Sequence, residues 1–430
     1  MGNSLSVSSD HIGVTNRVIR ATILLCALLF SFSGYASAKP DMLLGNVPLP
    51  DDVSPASSDS PFTGIWVGRW DNVLNSVLVV ESISSGGNAS VVYAVAGNPH
   101  RGFNARWVRY NAKIQGDTMT LVGAHAPIRY ERSPTGKLLG YYGNNRGFGV
   151  FQHYSGTALE ASNTDLQWTA GKSEFLQTAL LENEKSVSLE TVIYKPSGDG
   201  PFPLAVVNHG STGFGNKPEW FTHTWVNDWF AEFLNRRGWL VAYVQRRGRG
   251  RSDGLYDEGF HADRSNGYTC NSATSLAGAE RAMADLDAAI DALLQRDDVI
   301  DAPVLLAGQS RGGILSMAFA GQYPDRIAGV VNFVGGWLGE GCDTSTHVNQ
   351  TLFKKAAGFG RHTLSLYGEN DTFYSIKHCR DNFDAFLTAG GKGDFNVMEV
   401  AGDNNGHWVM AMPALWQDQV KKYLNRVSDQ

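Results

Sequence analysis

Cysteine is scarce in this chain, with four among 430 residues. They form neither a C-x-x-C pair nor a cluster with histidine, so the usual zinc-site spacings are missing. No metal and no other cofactor is expected. Positive charge is also in deficit: 36 Lys and Arg stand against 42 Asp and Glu, a formal net charge of -6. Nucleic-acid binding needs a basic footprint, and the one dense basic run is the short stretch Arg246 to Arg251. Nucleic acid is therefore not expected as a partner. Long apolar runs are lacking too. The stretch Ala21 to Phe32 is shorter than the about 20 residues of a membrane span, and no later stretch is long enough. What is plentiful is core material, with 43% hydrophobic residues in a chain long enough for two domains.

Arg17 and Arg20 precede the apolar stretch, and small residues follow it up to Ala36-Ser37-Ala38. That order predicts a secretory signal peptide over residues 1–38, cut after Ala38, and hence a periplasmic or secreted protein with no stable membrane span after cleavage. An uncleaved N-terminal anchor is the alternative. No cysteine sits at the cut, so a lipid anchor is not indicated. Cys270, Cys342 and Cys379 remain, enough for one disulfide and one free thiol in an oxidising compartment.

Residues 39–60 are rich in Pro, Ser and Asp and read as a flexible linker. Over residues 61–156 short alternating runs such as SVLVVESI, ASVVYAVAG and TMTLVGA are separated by turn signals. They predict six to eight antiparallel strands in a small barrel or sandwich. Trp66, Trp70, Tyr141 and Tyr142 could form a ligand face there, but core or rim packing is the preferred reading because strands favour aromatics. From residue 172 to 430 strands alternate with longer helical patterns, the rhythm of an α/β fold with a doubly wound, mostly parallel sheet. A hairpin is expected near SLETVIYKP, then strands at PLAVVN, WLVAYV and APVLLAG, with helices over Pro218–Arg237 and about Ser275–Arg296.

Gly308-Gln309-Ser310-Arg311-Gly312 stands directly between the apolar strand Val304–Ala307 and a helical stretch. A sharp strand-to-helix turn needs small flanking residues and leaves the serine hydroxyl exposed, so Ser310 is the candidate nucleophile. A serine hydroxyl is weakly nucleophilic at neutral pH and needs a histidine base oriented by a carboxylate. The second strand after the serine, HTLSLYGEN, ends beside Asp371, the candidate acid, with Glu369 as its competitor. The last strand, FNVMEVAG, leads to a loop holding His407, the candidate base; Asp403 in that loop is a second alternative acid. Two N–H donors are needed for the oxyanion. Arg311 would supply one and Ser211, in the loop Asn208 to Gly213, the other, with Thr212 as the weaker choice and His209 as a loop support.

These places, VNHGSTG, QRRGRGRSDG, GQSRGG and the pair GEND with NGHW, together resemble the α/β-hydrolase superfamily over residues 172 to 427, in its dienelactone hydrolase-like and prolyl oligopeptidase-like branches. Many dienelactone hydrolases carry Cys as nucleophile where this chain has Ser310. The resemblance implies that inserts at the strand ends form the pocket, here Leu255–Ser275 and Gly335–Gly358. They hold Cys270 and Cys342, which are expected to pair and leave Cys379 free. The arginines of residues 246–251 either bind a substrate carboxylate or, as preferred, salt-bridge internally to order their loop. Trp337, Phe373 and Trp408 are divided between pocket and core.

The expected activity is hydrolysis of a small-molecule or oligomeric carboxylic ester through an acyl-enzyme on Ser310. A peptidase or amidase is the alternative enzyme, and a binding protein on an inactive scaffold is the alternative class. The β domain's role in substrate entry, docking or stability is left open.

Overall fold

Apolar alternation in the N-terminal segment produces strands short enough to curl completely. In the computed structural model, which describes residues 47–71, 74–97, 104–143, 147–154, 171–400 and 405–428, they close a barrel. The predicted signal peptide lies outside the described residues. The strands are β1 (Gly64–Trp70), β2 (Leu74–Ile83), β3 (Asn88–Val95), β4 (Arg106–Gln115), β5 (Thr118–Val122), β6 (Ile128–Arg132), β7 (Leu138–Tyr142) and β8 (Gly147–His153). Each pairs antiparallel with the next, and β8 returns to β1 with Gly68 opposite Phe151. Closure removes the exposed sheet edges. Trp66 and Trp70 are buried inside with Leu78, Val91, Tyr130 and Phe151, so they are core residues.

The second sheet has eight strands in the order β16-β15-β14-β13-β11-β12-β10-β9. The hairpin β9 (Lys172–Glu182) and β10 (Lys185–Tyr194) is antiparallel, and β10 also pairs antiparallel with β12. The other neighbours are parallel: β11 (Leu204–Asn208), β12 (Leu240–Val244), β13 (Val304–Gln309), β14 (Ile327–Phe333), β15 (His362–Gly368) and β16 (Lys392–Met398). Helices α1 (Asp228–Asn235), α2 (Ser272–Leu294), α3 (Arg311–Gln322), α4 (Ser345–Ala356), α5 (Ile376–Thr388) and α6 (Pro413–Ser428) cover the two faces, each over its own apolar cluster. The chain lays β12 on one side of β11 and β13 on the other. That reversal separates the loops after β11 and β13 and opens a crevice at their carboxyl ends.

The helix expected over Pro218–Arg237 is far shorter. A 3-10 turn spans Pro218–Trp220, and α1 starts only after Asn227, whose side chain accepts the Phe230 amide at 2.9 Å. Between them Gln245 bonds both the N–H (2.8 Å) and the C=O (2.9 Å) of Trp225, and Thr224 bonds Glu190, which diverts that backbone from helical pairing. The last strand is displaced as well, since Lys392–Met398 begins three residues before FNVMEVAG.

Every residue of α1 is buried, because the barrel covers the side the sheet does not. Arg69 of β1 donates to Asp228 at 3.1 Å, and the Tyr194 hydroxyl donates to the same carboxylate. One turn on, Glu232 accepts from Ser133 and Thr135 and faces Lys137 at 3.3 Å. Tyr141 and Phe148 pack edge-on against Trp229 at 5.5 and 5.1 Å. Removing one partner of a buried ion pair leaves an uncompensated charge, at a cost of about 3–5 kcal/mol. Arg69→Met should lower stability to urea by that amount, while Arg69→Met combined with Asp228→Leu should lose less than the single variant. A double variant as unstable as the sum of two singles would show that the pair does not act as a unit.

Candidate active site

The tightest point in the fold is the end of β13. Asn208 of β11 lies opposite Gly308 of β13 in parallel register, so the chain leaving each strand crosses the other at backbone distance. A Cβ on Gly308 would lie 2.3 Å from the Gly312 backbone, and one on Gly312 would lie 2.1 Å from the Asn208 carbonyl oxygen. No side chain fits at either place. Ser310 between them turns directly into α3 with φ 57° and ψ -122°, a left-handed conformation that L-residues adopt only when the surroundings impose it.

His407 is set by a different network. It begins a 3-10 turn at Gly406–Ala411, where the Asn405 side chain accepts its amide at 2.9 Å and Gln309 donates to its carbonyl at 2.7 Å. Its Nδ1 donates to Asp371 Oδ2 at 2.9 Å, which leaves Nε2 as the acceptor nitrogen. Asp371 is held in turn by the amides of Phe373 and Tyr374, which donate to Oδ1 at 2.7 and 3.2 Å. Glu369 is exposed, and Asp403 lies outside the described residues. Ser310 and His407 line one cavity of about 530 Å³. Tyr374, a phenol that burial holds protonated, lies near Ser310. Among the described residues no Ser310–His407 hydrogen bond is formed in this state.

Ser211 lines the same cavity. The Thr212 amide is already committed, donating to the Tyr268 hydroxyl at 3.1 Å. His209 is fully buried behind the loop: its Nε2 accepts the Arg246 amide at 3.1 Å, so Nδ1 carries the proton and donates to the Gly210 carbonyl at 2.8 Å. The Arg311 side chain points away from the cavity, donating to the Trp337 and Glu258 carbonyls at 2.9 and 2.8 Å with its guanidinium over the Tyr268 ring.

Cys270 and Cys342 form a disulfide joining the loops that follow β12 and β14, and Cys379 is buried and free. Those two inserts, however, do not line the cavity. Tyr268 of the first braces Thr212 from behind, and the second folds mainly into α4. The walls come instead from Phe214, Trp220, Trp225, Phe373 and Trp408, with Arg69 and Asp71 reaching in from the barrel. Residues 221–227 are free to form a wall because they are not helical. Trp337 is core, at 1% exposure. Tyr374 and the barrel pair went unrecognised in the sequence. The Asp-x-Phe-Tyr turn carried a weak signal for the first; a contact across more than 150 residues carries none.

Three of the loop arginines are salt-bridged, Arg246 to Glu258 (2.5 Å), Arg247 to Asp285 (2.5 Å) and Arg251 to Glu190 (3.0 Å). Burial opposes ionisation of Glu258, but Arg246 and Arg311 outweigh it and hold the carboxyl below its ordinary range.

Residues 221–384 match the family described as serine aminopeptidase, S33. With the strand order and the serine turn at β13, this gives the chain the α/β-hydrolase fold. Solved structures similar to it include Est1E from Butyrivibrio proteoclasticus with ferulic acid bound, at 13% identity and TM-score 0.41 over 60% of this chain and 100% of that one. An esterase, Pf2001, from Pyrococcus furiosus aligns at 14% identity and TM-score 0.40 over 60% and 90%. A putative dienelactone hydrolase from Klebsiella pneumoniae aligns at 17% identity and TM-score 0.36 over 58% and 100%. No curated protein sequence matches.

Burial first, then Arg246 and Arg249, push His209 well below the ordinary imidazole value. Below about pH 6.5 the unfolded chain takes up a proton there that the folded chain refuses. Its contribution is therefore complete above that pH and is lost as the pH falls toward the folded value, by up to about 1.4 kcal/mol per unit. In urea titrations between pH 7.5 and pH 5, the stability gap between wild type and His209→Gln should narrow as the pH falls. A constant gap would mean that His209 is not held neutral.

Proposed function

We propose that the protein is a serine hydrolase of carboxylic esters, with Ser310 as nucleophile, His407 as general base and Asp371 as its orienting acid. The observation that carries this reading is that Ser310, at a left-handed turn, shares one cavity with a histidine whose Nδ1 is bonded to a buried carboxylate. The Ser310 hydroxyl gives up its proton to His407 Nε2 and attacks the ester carbonyl. The tetrahedral oxyanion is met by the amides of Arg311 and Ser211; the Thr212 amide, already bonded to Tyr268, is not available. His407 then protonates the leaving alcohol, and water releases the acyl group by the reverse path. No cofactor enters this sequence.

A serine peptidase reading has support in the family description, serine aminopeptidase. An aminopeptidase must hold a free ammonium group with an anion. Among the described residues the one carboxylate lining this cavity is Asp71, and Arg69 and Arg249 line it too. The excess of positive charge disfavours an ammonium group and favours the ester. The Cys270–Cys342 disulfide supports a periplasmic or secreted location, where thiols oxidise. Among the described residues no helix is long and apolar enough to cross a membrane.

A fluorophosphonate probe should label the wild type and not Ser310→Ala, and short-chain aryl esters should be cleaved faster than peptide anilides. Asp371→Asn should lower kcat roughly 10³- to 10⁴-fold by favouring the wrong histidine tautomer. A wild type left unlabelled while a control esterase reacts would reject the enzyme and favour a binding role for the scaffold.

A further inference from the structure

Arg249 differs from its neighbours in the arginine loop. It is 4% exposed, and its Nε and one Nη have no hydrogen-bond partner; among the described residues its side chain has no ion pair. Its nearest compensation is the Tyr256 ring, 5.4 Å below the guanidinium. That distance gives a weak cation–π contact, far short of replacing hydration.

The carboxylates around it are committed. Glu258 serves Arg246 and Arg311, Asp285 serves Arg247, and Glu190 accepts from Arg251, Thr224 and Ser173. Five buried or half-buried arginines (246, 247, 249, 251 and 311) thus face three carboxylates (190, 258 and 285). His209 beside them is kept neutral and supplies no further charge. In the cavity itself Asp71 accepts the Phe148 amide and, among the described residues, forms no ion pair with Arg249. Arg249 lines the same cavity as Ser310 and His407.

We infer that Arg249 binds a carboxylate on the substrate, so that the preferred esters carry an anionic group on the acyl or alcohol side and an apolar or aromatic body between it and the scissile bond. This rests on the esterase reading above. The body would lie against Trp220, Trp225, Phe214 and Trp408, which form the walls between the two ends. A guanidinium already stripped of most of its water and held by a rigid loop loses little on binding, and an anion beside it supplies the missing counter-charge.

The test uses the full chain with its disulfide intact and paired substrates: 4-nitrophenyl butyrate against mono-4-nitrophenyl glutarate, and phenyl acetate against 4-acetoxybenzoate. In at least one pair kcat/KM should favour the anionic ester, and Arg249→Met should reduce the anionic-to-neutral ratio roughly 10- to 100-fold, mainly through KM. Arg249→Lys should restore part of the ratio. Arg109→Met, which removes one charge from the barrel surface, should leave it intact, separating local recognition from long-range attraction. A second measurement does not need turnover: benzoate and glutarate should bind Ser310→Ala by calorimetry and fail to bind Ser310→Ala with Arg249→Met. If neutral esters are cleaved but neither pair shows a preference that depends on Arg249, the inference fails while the esterase stands. If no ester is cleaved, the esterase fails, and carboxylate binding lost with Arg249 still decides the inference.

Discussion

The site depends on how closely the ends of β11 and β13 approach. Their parallel register carries the chain past itself at Asn208, Gly308 and Gly312 with no room for a Cβ. Ser310 has no alternative to the left-handed turn once that contact is made, because the strand before it and the helix after it are both packed in the core. The same contact brings the loop bearing Ser211 over the start of α3, whose unpaired amides point at the crevice. The Ser310 turn and the placement of the Ser211 loop are thus consequences of one packing constraint. Asp371 and His407 follow β15 and β16 and are held by their own side chain–backbone bonds, from the Phe373 and Tyr374 amides and to Asn405. Gln309, the residue before Ser310, ties the two parts together by donating to the His407 carbonyl.

The barrel is joined to the catalytic half through charges rather than through an apolar seam alone. Helix α1 places Asp228 and Glu232 one turn apart on the face away from the sheet. On a solvent-facing helix both would be ordinary surface charges. Here the barrel buries them and supplies Arg69 and Lys137, with hydroxyls from Tyr194, Ser133 and Thr135 completing the set. Arg69 and Asp71 follow in the same stretch of chain, so the segment that docks the barrel also closes one side of the cavity that Ser310 and His407 share.

Much of this was legible in the sequence because it is local. A strand, a glycine-flanked serine and a helix in direct succession specify a sharp turn, and the order Ser310, Asp371, His407 places three groups after the parallel strands β13, β15 and β16. Alternation with period two marked the barrel, and the disulfide joined the two inserts as expected. The failures are equally physical. Helical periodicity over Pro218–Arg237 was real, but Gln245 and Glu190, distant in sequence, captured the backbone of Trp225 and the side chain of Thr224. The walls of the cavity were misassigned for the same reason: they are built from that non-helical segment and from the barrel, which approach only through tertiary contacts. In the arginine loop, internal pairing held for Arg246, Arg247 and Arg251, and no local pattern distinguishes Arg249 from them.

That distinction is the point at which fold and specificity meet. Arginines 246, 247 and 251 secure the loop, each against a carboxylate from a different element: Glu258 in the following insert, Asp285 on α2 and Glu190 on β10. A loop pinned on three sides cannot move to hydrate the fourth arginine. Buried charge is tolerated in proteins when it is paired, and the pairing here stops one residue short at the place that opens onto the cavity. A neutral residue at position 249 would avoid the desolvation penalty with no loss to the loop's three anchors. The arginine is therefore explained by what enters the cavity rather than by what holds the loop, and the rigidity of the loop makes its charge available without reorganisation when an anion arrives.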